Sequence, residues 1–119
     1  MLLAANDLSR SGASAALAER SVRSLERVAR RLPIARPRAS MARAVLLAGE
    51  GKHAAARRRF RRALQQADTM AMPYEHGLVL REMGHAVGDI EALARSAAEL
   101  SALGAVDDVR PVGFDQPRG

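Results

Sequence analysis

Cysteine is absent from this chain, and with it go disulfides, thiolate nucleophiles and cysteine-ligated metal centres. Tryptophan is absent too, and only Phe60, Tyr74 and Phe114 are aromatic, so any interior has to be assembled from Ala, Leu, Val and Met. No stretch approaches the roughly eighteen continuous apolar residues of a membrane span. The apolar opening Met1 to Ala5 reaches Asp7 without the basic start and long hydrophobic run of a secretion signal. A cytoplasmic protein without a membrane partner is the expectation. At 119 residues the chain has the length of one domain.

Acidic residues are scarce in the first half. Residues 1–67 hold 15 Arg or Lys against 4 Asp or Glu, whereas residues 68–119 hold 4 against 9. Such an asymmetry marks a surface for an acidic partner or nucleic acid, or two ends that attract segments of opposite sign.

The sequence is rich in helical periodicity. Gly12, Gly51 and Gly88 each precede an alanine-rich stretch at spacings of about 39 and 37 residues, a period typical of arrays of helical hairpins. Met1 to Arg10 reads as a short helix stopped at Ser11-Gly12. From Ser14 to Leu32, residues Ala18, Ser21, Val22, Leu25, Val28, Ala29 and Leu32 fall on one face, which puts every Arg and Glu opposite. Glu19/Arg23 and Glu26/Arg30 are i,i+4 pairs in the favourable order. Pro33 and Pro37 interrupt the chain. Arg38 to Ala48 is apolar on nearly all sides and reads as an inner helix. After the Gly49-Glu50-Gly51 turn, Lys52 to Met70 places His53, Ala56, Phe60, Ala63, Leu64 and Ala67 inward. Pro73 opens a helix with Leu80, Met83 and Val87 inward. Asp89 caps a last helix with Ile90, Leu93, Ala94, Ala97, Leu100 and Leu103 inward, ending at Gly104. The fold class expected is all-α, about three stacked helical hairpins in a right-handed solenoid, with a repeat domain over 1–104 and a flexible tail over 105–119.

The stretch Gly51 to Leu64, with a turn glycine followed by Ala56, Phe60 and Ala63, resembles the second half of a tetratricopeptide repeat. Ala71-Met-Pro-Tyr-Glu75, the segment Leu80 to Gly84, Gly88-Asp89 and the ending Ala98 to Ala105 resemble the C-terminal repeat region of bacterial signalling ATPases. In that family a P-loop ATPase and a nucleotide-cyclase, kinase or DNA-binding output precede the repeats. The resemblance implies a protein–protein interaction or scaffold module of a signalling system, the C-terminal piece of a larger regulator, with no enzymatic activity of its own. Ser40 and Leu47 stand where the repeat usually carries its tryptophan and tyrosine, and the period exceeds the standard of about 34 residues.

Catalytic constellations find little footing. Gly49-Glu50-Gly51-Lys52 lacks the earlier glycine of a P-loop, where Leu46 stands, and the following Ser or Thr, where His53 stands. Glu82 and His85 have the spacing used by di-iron bundles, but no second copy exists and both are expected to face water. His76 is expected on the inward side of its helix as a hydrogen-bonded histidine. No cofactor or metal is expected.

The arginines of the fourth stretch carry the partner hypothesis. Between Glu50 and Asp68 there is no acid, so Lys52, Arg57, Arg58, Arg59, Arg61 and Arg62 read as unneutralised, with Arg57/Arg61 and Arg58/Arg62 repelling at i,i+4. With Phe60 inward they wrap the outer face. Arg57, Arg58, Arg61 and Arg62 are the candidate residues for binding an acidic protein partner or adjacent domain. A basic helical nucleic-acid-binding protein is the alternative, disfavoured because no aromatic interleaving or groove-reading motif accompanies the charge. The apolar start, Met1 to Leu8, suggests self-association through the N-terminal helix.

Overall fold

The computed structural model describes the backbone of residues 2–104 and the side chains of residues 12–104. The described residues are helical, without a strand: α1 Leu2–Arg31, a 3-10 turn Pro33–Ala35, α2 Arg36–Gly49, α3 His53–Thr69, α4 Pro73–Val87 and α5 Ile90–Ala102. The expected tail over 105–119 lies outside the described residues, as do the side chains of the apolar start invoked for self-association.

Three of the joints follow from backbone chemistry at single residues. Gly51 takes a positive φ of 82° and Gly88 one of 68°, the left-handed conformation that closes a helix when no Cβ interferes. Pro73 occupies the first turn of α4, where its missing donor costs no helical hydrogen bond. Asp89 caps α5, its side chain accepting from the Ala92 amide at 3.1 Å. Pro37 lies within the first turn of α2 and is buried there; the break between α1 and α2 comes at Leu32 and Pro33 instead.

Gly12 does not stop a helix. α1 runs through it from Leu2 to Arg31, and a Cβ at Gly12 would meet nothing within 4 Å. The site is exposed, no proline follows, and Ala13, Ala15 and Ala16 favour helix strongly enough to offset a glycine cost of about 1 kcal/mol. The three glycines are therefore not equivalent turns.

Packing is arranged as two antiparallel pairs with α1 against one of them. α2 pairs with α3 and α4 with α5, while α4 also lies against both α2 and α3. The core that unites the pairs consists of Ala44 on α2, Ala56, Phe60 and Ala63 on α3, Val79, Leu80 and Met83 on α4 and Ala92 on α5. Phe60 is fully buried and is the largest side chain there. The abundance of alanine lets the helices approach closely around it, so one aromatic fills what several would fill elsewhere. Glycine does the same between α4 and α5. A Cβ on Gly77 would lie 2.6 Å from Leu100 Cδ2, and one on Gly84 would lie 2.6 Å from Leu93 Cδ2 and 3.1 Å from the Asp89 carbonyl oxygen. Two leucines of α5 thus seat in two gaps on α4, one helical repeat of seven residues apart.

Several inward faces are rotated from the sequence reading. His53 is exposed, being the first residue of α3 and short of its inward stripe. On α5, Ile90 is 79% exposed, and Ala94, Ala97 and Leu103 also face outward. The buried stripe is Ala92, Ser96 and Leu100; Ser96 is accommodated because its hydroxyl donates to the Leu93 carbonyl at 2.8 Å. On α1, Val22 and Ala29 are buried, whereas Ser21, Val28 and Leu32 are exposed.

Candidate functional site

Arg43, the one charged residue inside the apolar run of α2, reaches back to α1. Its Nη1 and Nη2 donate to the two carboxylate oxygens of Glu19 at 2.9 and 3.1 Å, and its Nε and Nη2 donate to the two of Glu26 at 3.0 Å each. Glu19 and Glu26 lie two turns apart on one face of α1, which is what allows both to grip one planar guanidinium. The Arg43 hydrogen bond, then that of Arg23, holds the Glu19 carboxyl at about 2, and Arg43 likewise lowers Glu26; Arg43 is itself pushed further up by Glu26 and Glu19. These acids do not line the outward face of α1. Of the two pairs expected along that helix, Glu19–Arg23 forms at 2.8 Å, while Glu26 turns to Arg43.

The arginines of α3 have divergent fates. Arg57 is spent inside the fold: it donates to the Val87 carbonyl at 3.3 Å, at the C-terminus of α4, and stands 3.8 Å from the capping Asp89. Arg59 stands 3.7 Å from Glu26. The charge of α3 is therefore partly neutralised by α1 and by the α4–α5 turn, which the local absence of acid did not reveal. Arg58, Arg61 and Arg62 are exposed and have no carboxylate partner among the described residues. Of the four candidates for partner binding, Arg58, Arg61 and Arg62 are exposed and unpaired among the described residues, whereas Arg57 is half-exposed and engages the α4–α5 turn.

Arg62 faces a cleft of about 410 Å³ where α1, α2 and α3 meet. Arg30 and Arg36 enter it from the α1–α2 junction and Arg59 from α3, with Ser40 and Gln66 also lining it. The Ser40 hydroxyl donates to Gln66 Oε1 at 2.8 Å. Arg36 Nε donates to the Ala29 carbonyl at 3.2 Å. Sequence reasoning missed this assembly because Arg30 and Arg36 come from outside the arginine cluster; the only signal was the basic excess of the whole first half.

A second groove of about 970 Å³ lies between the end of α3, the turn into α4, and α5. Its wall is mostly apolar, with Leu64, Met72 and Leu103 prominent, and His76 Nδ1 meets Glu99 Oε1 there at 2.7 Å. That pair makes the hydrogen bond expected of His76 while joining α4 to α5.

Elsewhere the chemistry is structural. The amides of Glu50, Gly51 and Lys52 bond to the carbonyls of Leu46, Leu47 and Ala48, so the glycine turn finishes α2 and has no donors left to cradle a phosphate. Glu82 is half-buried and His85 exposed, and no group of three or more His, Asp or Glu able to hold a metal ion occurs among the described residues. No helix among those residues is long and apolar enough to cross a membrane. Compared with family models, curated proteins and solved structures, the chain matches none.

Proposed function

We infer that this chain is a protein–protein interaction or scaffold module, non-catalytic, in which an acidic partner or adjacent domain docks on the outer face of α3. The observation that carries the reading is the contrast along that helix. Arg57 and Arg59 find acids within the fold, whereas Arg58, Arg61 and Arg62 find none among the described residues. A helix that keeps like charges at i,i+4 without internal compensation gains stability when a surface of opposite sign covers it.

The seating of α4 against both helices of the preceding pair favours a stack of hairpins similar to tetratricopeptide repeats. The C-terminal region of a bacterial signalling ATPase remains the parent protein this reading favours, in a cytoplasmic setting. A P-loop ATPase encoded in the reading frame just upstream would support it.

The direct test compares a polyglutamate peptide with non-specific duplex DNA by fluorescence anisotropy at physiological salt. Binding to polyglutamate that Arg58→Glu/Arg61→Glu abolishes supports an acidic protein partner. Binding confined to DNA, with a steep salt dependence, selects the nucleic-acid alternative.

A further inference from the structure

We propose that the cleft between α1, α2 and α3 is a binding site for a phosphate group, either free or carried as a monoester on a small molecule. It adjoins the docking face of α3, with Arg62 common to both, and goes beyond that reading.

The cleft has more donors than acceptors. Glu26 is the one acid lining it, and both of its oxygens are already held by Arg43, so it cannot fully neutralise a second arginine. Arg59 accordingly stands 3.7 Å from it, outside direct hydrogen-bond range. Arg30 and Arg62 have no carboxylate partner among the described residues. Arg36 uses Nε on the Ala29 carbonyl, leaving its Nη groups without an acceptor among the described residues. Gln66 completes the pattern. Buried Ser40 donates to its Oε1, which leaves the NH₂ end as a donor with no partner among the described residues.

Four guanidinium groups and one amide around about 410 Å³ match an anion that accepts several hydrogen bonds through more than one oxygen. A phosphate monoester carries about 1.5 to 2 negative charges near neutral pH and offers three acceptor oxygens, the free anion is comparably charged, and guanidinium forks engage either bidentately. The volume also falls within the range of small-molecule sites and leaves room for an organic group on the ester.

The test uses the full chain at constant ionic strength, with inorganic phosphate and phenyl phosphate as probes, read by calorimetry and by amide chemical shifts. Saturable binding with shifts centred on Gln66, Arg59 and Arg62 is expected. Arg30→Gln/Arg62→Gln removes two unpaired groups and should weaken binding on the order of tenfold or more, as loss of charge-assisted hydrogen bonds implies. Arg58→Gln/Arg61→Gln removes the same charge from side chains that do not line the cleft and should weaken binding severalfold less, because these groups lose only a screened field and no hydrogen bond to the anion. Phenyl phosphate binding at least as tightly as inorganic phosphate identifies an esterified ligand; inorganic phosphate alone identifies the free anion. Equal weakening by the two double variants, or shifts spread over the basic face without saturation, overturns the proposal. If Arg30→Gln/Arg62→Gln fails to fold, Gln66→Leu and the shift map of the parent decide in its place. Polyglutamate binding plays no part in these outcomes, so either reading can fail alone.

Discussion

Phe60 shows what a single residue does in a core almost without aromatics. It is fully buried among alanines and short aliphatics contributed by α2, α3 and α4, so its removal leaves a cavity that small neighbours cannot fill. Phe60→Ala should cost about 3 to 5 kcal/mol, measured by urea unfolding with the slope unchanged. A loss under about 1 kcal/mol would mean the core collapses around the gap. The glycines make a sharper comparison because one substitution should act with opposite signs. Gly84→Ala drives a methyl into Leu93 and towards the Asp89 carbonyl, and Gly77→Ala drives one into Leu100. The first should destabilise by about 1 to 3 kcal/mol and the second by less, since only a movable leucine tip stands in its way. Gly12→Ala, in an open helical position, should stabilise α1 by up to about 1 kcal/mol. Thermal melts of the three variants read the order directly. The sequence treated Gly12 as a turn and passed over Gly77 and Gly84, because a glycine's role depends on what lies opposite it.

Among the elements, α1 is held differently from the rest. α2 to α5 share a continuous apolar core, whereas α1 contributes buried Val22 and Ala29 and the two carboxylates that hold Arg43. Its docking should therefore respond to acid. Both Glu19 and Glu26 titrate below the ordinary value of 4.5 in the fold, Glu19 at about 2. Stability from a depressed carboxyl is fully present above the unfolded value and is lost as pH falls through the folded one, so the attachment of α1 should weaken between about pH 4.5 and 2. Arg43→Met removes the linkage. It should raise amide exchange in α1 at neutral pH relative to α4, and should flatten the acid dependence of the melting temperature over that window. An unchanged acid profile would place the responsible carboxyls elsewhere. The extents of α2 to α5 were legible because proline, glycine and the Asp89 cap mark their ends locally. The face of α1 was not, since Glu19 and Glu26 look solvent-facing until Arg43, seventeen or more residues away, is brought beside them. On α5 the buried Ser96 hid the true stripe for the same reason: its polarity is cancelled by a local bond that composition does not show.

Across the whole molecule, the uneven charge of the two halves is partly consumed by folding. Arg38 joins Glu75 through two hydrogen bonds of 3.2 and 2.9 Å, and Arg57 stands beside Asp89, so ion pairs tie the basic half to the acidic half at α2–α4 and α3–α4–α5. The Glu75 hydrogen bond raises the Arg38 pKa accordingly. Arg58, Arg61 and Arg62 on α3 remain without a carboxylate partner among the described residues, as do Arg20, Arg27, Arg30 and Arg31 on α1, so the basic excess left after folding spans both helices. Reversing Arg58 and Arg61 should consequently spare the fold. Both are exposed and unpaired among the described residues, and the changes relieve repulsion along the helix, so stability should move by no more than about 0.5 kcal/mol. Reversing Arg57 should behave otherwise, because a glutamate there meets Asp89 and the Val87 carbonyl with repulsion where a donor had stood. Arg57→Glu should destabilise by about 1 kcal/mol, the scale of a half-exposed ion pair turned into a repulsion. Equilibrium unfolding of the double variant and the single variant, side by side at physiological salt, separates the charges folding has used from those left for a partner. If all three positions prove equally tolerant, the neutralisation of Arg57 contributes nothing and the basic face extends over the whole of α3.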